Sequence, residues 1–111
     1  MSVLPRKNRV TFLDATDEVA NLSVRGLGGA ALQLVGTWTG TVTFEGTVDG
    51  QTWVAFNMVP SNSATAASTS TSNGVWSANV AGFEAVRARF STASSGTVAA
   101  HWQGTEAAGR Y

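Results

Sequence analysis

The chain has 111 residues, no cysteine, seven Lys plus Arg against seven Asp plus Glu, and only 13% charged residues. That length fits one domain, with enough chain to bury a core without staples. The missing cysteines exclude disulfides and thiolate metal sites, and the sparse, balanced charge excludes the strong field that nucleic acid or an acidic membrane would need.

Polarity comes instead from 11 Ser and 14 Thr. Many of these Thr alternate with apolar residues, as the outer side of a strand would. Near-zero net charge favours association, which suits a subunit of an assembly. No stretch approaches the 18 or so apolar residues of a membrane helix. The basic start, MSVLPRKNRV, has no apolar run behind it and does not read as a secretory signal. The expectation is a protein made in a host cytoplasm and held there until it assembles.

Residues 1–9 read as an extended N-terminal arm: Pro5 breaks regularity, and Arg6, Lys7 and Arg9 supply three of the seven positive charges. The arm is either a solvated tail or a dock for an acidic neighbour. A single β-sandwich domain then covers 10–111. VTFL (10–13) is a short strand, and ANLSVR (20–25) puts Leu22 and Val24 on one face. GLGG (26–29) is a turn, since it lacks the Lys-Ser/Thr of a phosphate loop. AALQLVGTW (30–38) aligns Leu32, Leu34 and Trp38.

GTVTFEGTVDGQTWVAF (40–56) reads as a hairpin over Asp49-Gly50, a pair that favours a type I′ turn. The expected register sets Thr47 against Thr52 and Gly46 against Trp53. Trp53 then shares a face with Val42, Phe44 and Val48, its indole lying over Gly46. The Ser/Thr/Ala stretch 61–74 has no periodicity and reads as a flexible loop, or as a segment ordered against a neighbouring subunit. VWSANV (75–80) is a strand. FEAVRARFS (83–91) aligns Val86, Ala88 and Phe90, ASSG (93–96) turns the chain, and TVAAHW (97–102) aligns Val98, Ala100 and Trp102. Seven or eight short strands with Gly-rich turns give an all-β fold, an antiparallel β-sandwich or jelly roll.

Chemistry-bearing residues are few. One His and no Cys make a zinc site improbable, and the acidic residues lack calcium-loop spacing, so neither metal nor cofactor is expected. His101 has no Ser or Asp partner nearby, and no G-x-S-x-G elbow exists, so no catalytic residue is assigned. Arg87 and Arg89 project from the non-core side of one strand, either into cross-strand polar pairs or as interface anchors. Of the four Trp, Trp38, Trp53 and Trp102 fall on core parity. Trp76 follows the polar loop, reads as the most exposed, and is the candidate for stacking on a sugar ring.

The run VTFEGTVDGQTW, with FEAVRARF and GTVAAHW after it, resembles galactose-binding-like, discoidin-type jelly rolls. Their hairpin motif is matched by Thr47, Asp49, Gly50 and Trp53, and a later strand motif by Phe83, Val86 and Arg87. Their ligand-gripping loops have no match here, so glycan binding is not carried over. LVGTWTGTVTFEGTVDGQTWVAF, the Ser/Thr-rich middle, VRAR and the Ser-Gly turn are similar to small structural proteins of tailed bacteriophages. That resemblance implies a virion component: a capsid decoration protein, a head fibre, or a tail or baseplate part. The expectation is a non-enzymatic decoration or cement protein on the capsid surface. It would bind the major capsid protein or other virion subunits through Arg6, Lys7, Arg9, Arg87 and Arg89, as a homo-oligomer such as a trimer. A carbohydrate-binding module for host attachment and a tail or baseplate connector are the alternatives.

Overall fold

Alternation of apolar side chains with period two leaves every regular element among the described residues a strand. The computed structural model describes residues 6–105, the side chains of Arg6 and Lys7 excepted. Its strands are β1 (Arg6–Leu13), β2 (Val19–Ser23), β3 (Gly29–Thr47), β4 (Val54–Ala55), β5 (Val59–Pro60), β6 (Thr69–Ser70), β7 (Gly74–Asn79) and β8 (Ala85–Thr105). They form one antiparallel hydrogen-bonded sheet in the order β1-β8-β3-β7-β5, with β2 added to β8 and β4 and β6 added to β3.

Two strands are much longer than expected, 19 residues for β3 and 21 for β8. The Gly and Ser-Gly stretches that read as chain breaks are irregularities inside them. The β3–β8 register shifts between Thr39 and Gly40 and again between Thr41 and Thr43. A bulge bends a strand without ending it. Gly40 sits at φ 147°, and a Cβ there would run into the Thr92 carbonyl oxygen. Gly96 sits at φ 81°, and a Cβ would meet the Thr37 carbonyl. Only glycine allows so close a crossing at such angles.

The two long strands thereby serve two layers. β1, the C-terminal half of β8, the N-terminal half of β3, β7 and β5 make the first. β2, the N-terminal half of β8, the C-terminal half of β3, β4 and β6 make the second. Leu32, Leu34, Val98, Ala100 and Trp102 are buried from the first layer; Leu22, Val42, Phe44, Val86, Ala88 and Phe90 are buried from the second. Contacts join the layers: Phe44 lies 5.3 Å from Trp76 between ring centres, and the Trp102 indole N–H donates to the Ala20 carbonyl at 2.8 Å. Such a hydrogen bond contributes about 1 kcal/mol net, and a buried indole without it would cost more. The expected all-β sandwich is the observed fold.

Three expectations change. Trp76 is buried against Phe44 and offers no stacking surface; its parity with Ala78 and Val80 turns it inward, whatever the polarity of the preceding loop. The stretch 61–74 is tied down in its second half: the Met58 and Ala67 backbones bridge, and β6 pairs with Val42 and Thr43 of β3. Residues 6–9, assigned to an arm, open β1, with Arg9 opposite Trp102 of β8. Residues 1–5 lie outside the described residues, as do the side chains of Arg6 and Lys7.

Candidate interaction surfaces

The hairpin sets the first surface. Asp49 Oδ1 accepts the backbone N–H groups of Gln51 and Thr52, at 2.8 and 2.7 Å, and the Thr47 hydroxyl at 3.0 Å. The amides of Thr52 and Gln51 hold the Asp49 carboxyl far below the usual carboxylate range. By capturing those amides Asp49 widens the turn: Gly46 pairs with Val54, and residues 48–53 form the loop. The register is one residue off the expected one, which moves Trp53 to the opposite face. The space over Gly46 is filled by the rings of Phe83 and Phe56 instead.

On that face Trp53 meets the arginine strand. The Arg87 guanidinium carbon lies 4.3 Å from the Trp53 ring centre. Glu45, buried at the middle of the face, accepts Arg87 Nε at 2.7 Å on Oε1. Its Oε2 accepts Arg89 Nη2 at 3.1 Å and Nε at 3.2 Å. Arg89 Nη1 reaches Asp17 at 2.8 Å. Burial pushes the Glu45 carboxyl up, but the hydrogen bonds and charges of Arg89 and Arg87 outweigh it and leave it below its ordinary value. Hydrogen bonds to Glu45 and Asp17 raise Arg89 in turn. Arg87 and Arg89 do project from the non-core side, but into a cross-strand network whose acceptors belong to the chain itself.

The outer side of the first layer is different. Pairing lays out rows across the strands: Val10, His101, Gln33 and Val75; then Phe12, Ala99 and Val35; then Asn8, Gln103, Ala31, Ser77 and Val59. None of these positions holds Lys, Arg, Asp or Glu. Phe12 is 67% exposed, Val10 47% and Val59 42%, and Val35 and Val75 are also exposed. Two shallow grooves run across the face, of about 520 and 450 Å³, with Arg9 on the rim of the first. Sequence reasoning tracked the inward parity of these strands and overlooked the outward one. The signal was there: Val10, Phe12, Val35 and Val75 are apolar where a solvated strand carries Thr or charge.

A third depression, about 370 Å³, lies at the hairpin end between Val48, Val54, Phe56 and Phe83. Among the described residues no three His, Asp or Glu gather as metal ligands.

No protein-family model matches the chain, and no curated protein matches it. Solved structures do. The SPBc2 prophage-derived protein YomS superposes with a TM-score of 0.81 at 13% identity, over 95% of this chain and 96% of YomS. The PBSX exported protein XepA superposes with a TM-score of 0.77 at 21% identity, over 95% of this chain but 40% of XepA. At these identities the likeness is one of fold. The chain thus has an all-β fold also found in a prophage-derived protein and in part of an exported one.

Proposed function

We propose that the chain is a non-enzymatic structural subunit of a phage particle, and that it works by being covered. The observation that carries this is the uncharged outer face of the first layer, with Phe12, Val10, Val59, Val35 and Val75 exposed together. A stand-alone domain gains nothing from such a face, whereas a subunit turns it into interface area. The fold shared with prophage-derived YomS supports the phage setting. Within the particle we place the chain on the capsid surface as a decoration protein, with the basic Arg6, Lys7 and Arg9 end as the contact to capsid subunits. Arg87 and Arg89 are held by Glu45 and Asp17, so adhesion rests on the neutral face instead. Kinship with galactose-binding-like modules would rest on the Thr47, Asp49, Gly50, Trp53 hairpin.

The test is co-sedimentation of the purified chain with particles of the encoding phage that lack it, followed by cryo-EM. Density for the chain at regular capsid positions is expected. Particles that sediment without it, or density confined to the tail, would refute the capsid placement.

A further inference from the structure

The nature of the partner can be read from how polarity is distributed over the neutral face. Its flanks are apolar: Val10 and Phe12 lie on β1 at one side, Val75 and Val59 on β7 and β5 at the other. Its middle, on β8 and β3, carries the amides of Gln33 and Gln103 and the imidazole of His101. Each of these groups both donates and accepts hydrogen bonds, so each can pair with its own kind.

We propose that this face packs against the same face of a second copy, related by a two-fold axis that lies between the sheets and runs along β8 and β3. The inference rests on the reading of the face as an assembly surface, and it names the partner. Rotation about that axis sets the β1 flank of one copy over the β7–β5 flank of the other. Val10 of each copy then meets Val75 of the other, Phe12 and Val59 extend the two apolar flanks at opposite ends of the face, and His101 meets Gln33 across the middle. Self-complementarity of one patch is what a two-fold interface requires. A face carrying charge would meet its own sign across such an axis; the three rows of this one hold none to repel, the nearest cations being Arg9 on the groove rim and Arg6 one row beyond Asn8, and the net charge of the chain is zero. The charged face could not serve, because Glu45 and Asp17 already neutralise Arg87 and Arg89 within the chain.

The size is adequate. Strands ~4.8 Å apart and ~3.3 Å of rise per residue give the five-strand layer a flat footprint of roughly 600 Å². Standing side chains raise the accessible area toward the ~800 Å² per partner of a standard interface. Sheets packed this way sit ~10 Å apart, with strands crossing at about 30°. The dimer would leave the charged faces on its two outer surfaces.

Single cysteines test this, since the chain has none of its own. Gln33→Cys, beside the axis, should be joined to its mate by a bismaleimide of about 8–10 Å reach, because sheets ~10 Å apart exceed the ~7 Å Cα separation that a disulfide can span, whereas Ser23→Cys on the outer side of β2 should not. Phe12→Lys and Val75→Lys, both at exposed positions, should each raise the dissociation constant in sedimentation equilibrium about tenfold or more, with unchanged circular dichroism. Wild-type protein of single-chain mass at ~100 µM, cross-linking equal at both cysteines, or an oligomer indifferent to both lysines would overturn the proposal. If the wild type is a single chain and yet Phe12→Lys abolishes co-sedimentation with particles, self-pairing is refuted while the structural role stands: the face then docks a different subunit.

Discussion

The two outer faces of the sandwich are built on the same two strands and solve opposite problems. On one side of the bulges β3 and β8 carry Glu45, Arg87 and Arg89, joined to Asp17 and stacked on Trp53, so each of these charges has an acceptor or donor within the chain. On the other side the same strands carry Gln33, Val35, Ala99 and His101, beside Val10 and Phe12 of β1, none of them charged. A face whose charges are matched internally is complete in water. A face that exposes Phe12 at 67% leaves apolar area in water, which the proposed assembly would cover. The contrast argues that arginines on a strand are poor guides to an interface until their partners are known.

The sharpest way to break the contrast is to remove the hinge that separates the faces. Gly40→Ala combines a left-handed φ with a collision against the Thr92 carbonyl, and should cost about 3 kcal/mol or more, measured by urea unfolding. Glu45→Gln attacks the charged face alone. It leaves two half-buried guanidinium groups without their shared carboxylate, and should cost roughly 2–3 kcal/mol after allowing for solvent at the arginine heads. The association state of this variant should stay that of the wild type.

Acid sharpens the same point. The Glu45 carboxyl lies lower in the folded chain than in the unfolded one, so the unfolded state binds the proton more readily. Its contribution is fully present above the ordinary Glu range near pH ~4.3 and is lost as the pH falls through the lower, folded value. The wild type should therefore lose more stability than Glu45→Gln on going below about pH 4, a difference readable from thermal melts. Trp53→Ala removes the ring under Arg87 and should cost about 0.5–1 kcal/mol. Measured on the dispersed single chain, Phe12→Lys should move unfolding least, within about 0.5 kcal/mol, since its side chain is then in water.

Much of this architecture was legible in alternation alone. Leu22, Leu32, Leu34, Val86, Ala88, Phe90, Val98, Ala100 and Trp102 all read as inward and are all buried. Period two reports side-chain direction, and in β3 and β8 the inward parity is the same on both sides of the bulges, which is why the core is readable without knowing that the two strands are continuous. Local signals failed where a side-chain contact, near or distant, decided. Asp49-Gly50 promised a tight turn, but the Asp49 side chain captured two amides and shifted the register by one residue, carrying Trp53 across the sheet. Trp76 was judged by the polar loop before it and was in fact decided by Phe44, 32 residues upstream in the other layer. Arg87 and Arg89 follow the cross-strand reading of the two that the sequence left open, and the choice was not legible because their shared acceptor Glu45 lies 42 and 44 residues away on another strand.

Hydroxyl-radical footprinting of the assembled against the dispersed protein compares the two faces in one experiment. Assembly should shield Phe12, Val10 and His101 while Trp53 stays as reactive as in the single chain. Shielding of Trp53 with Phe12 left fully reactive would contradict the account.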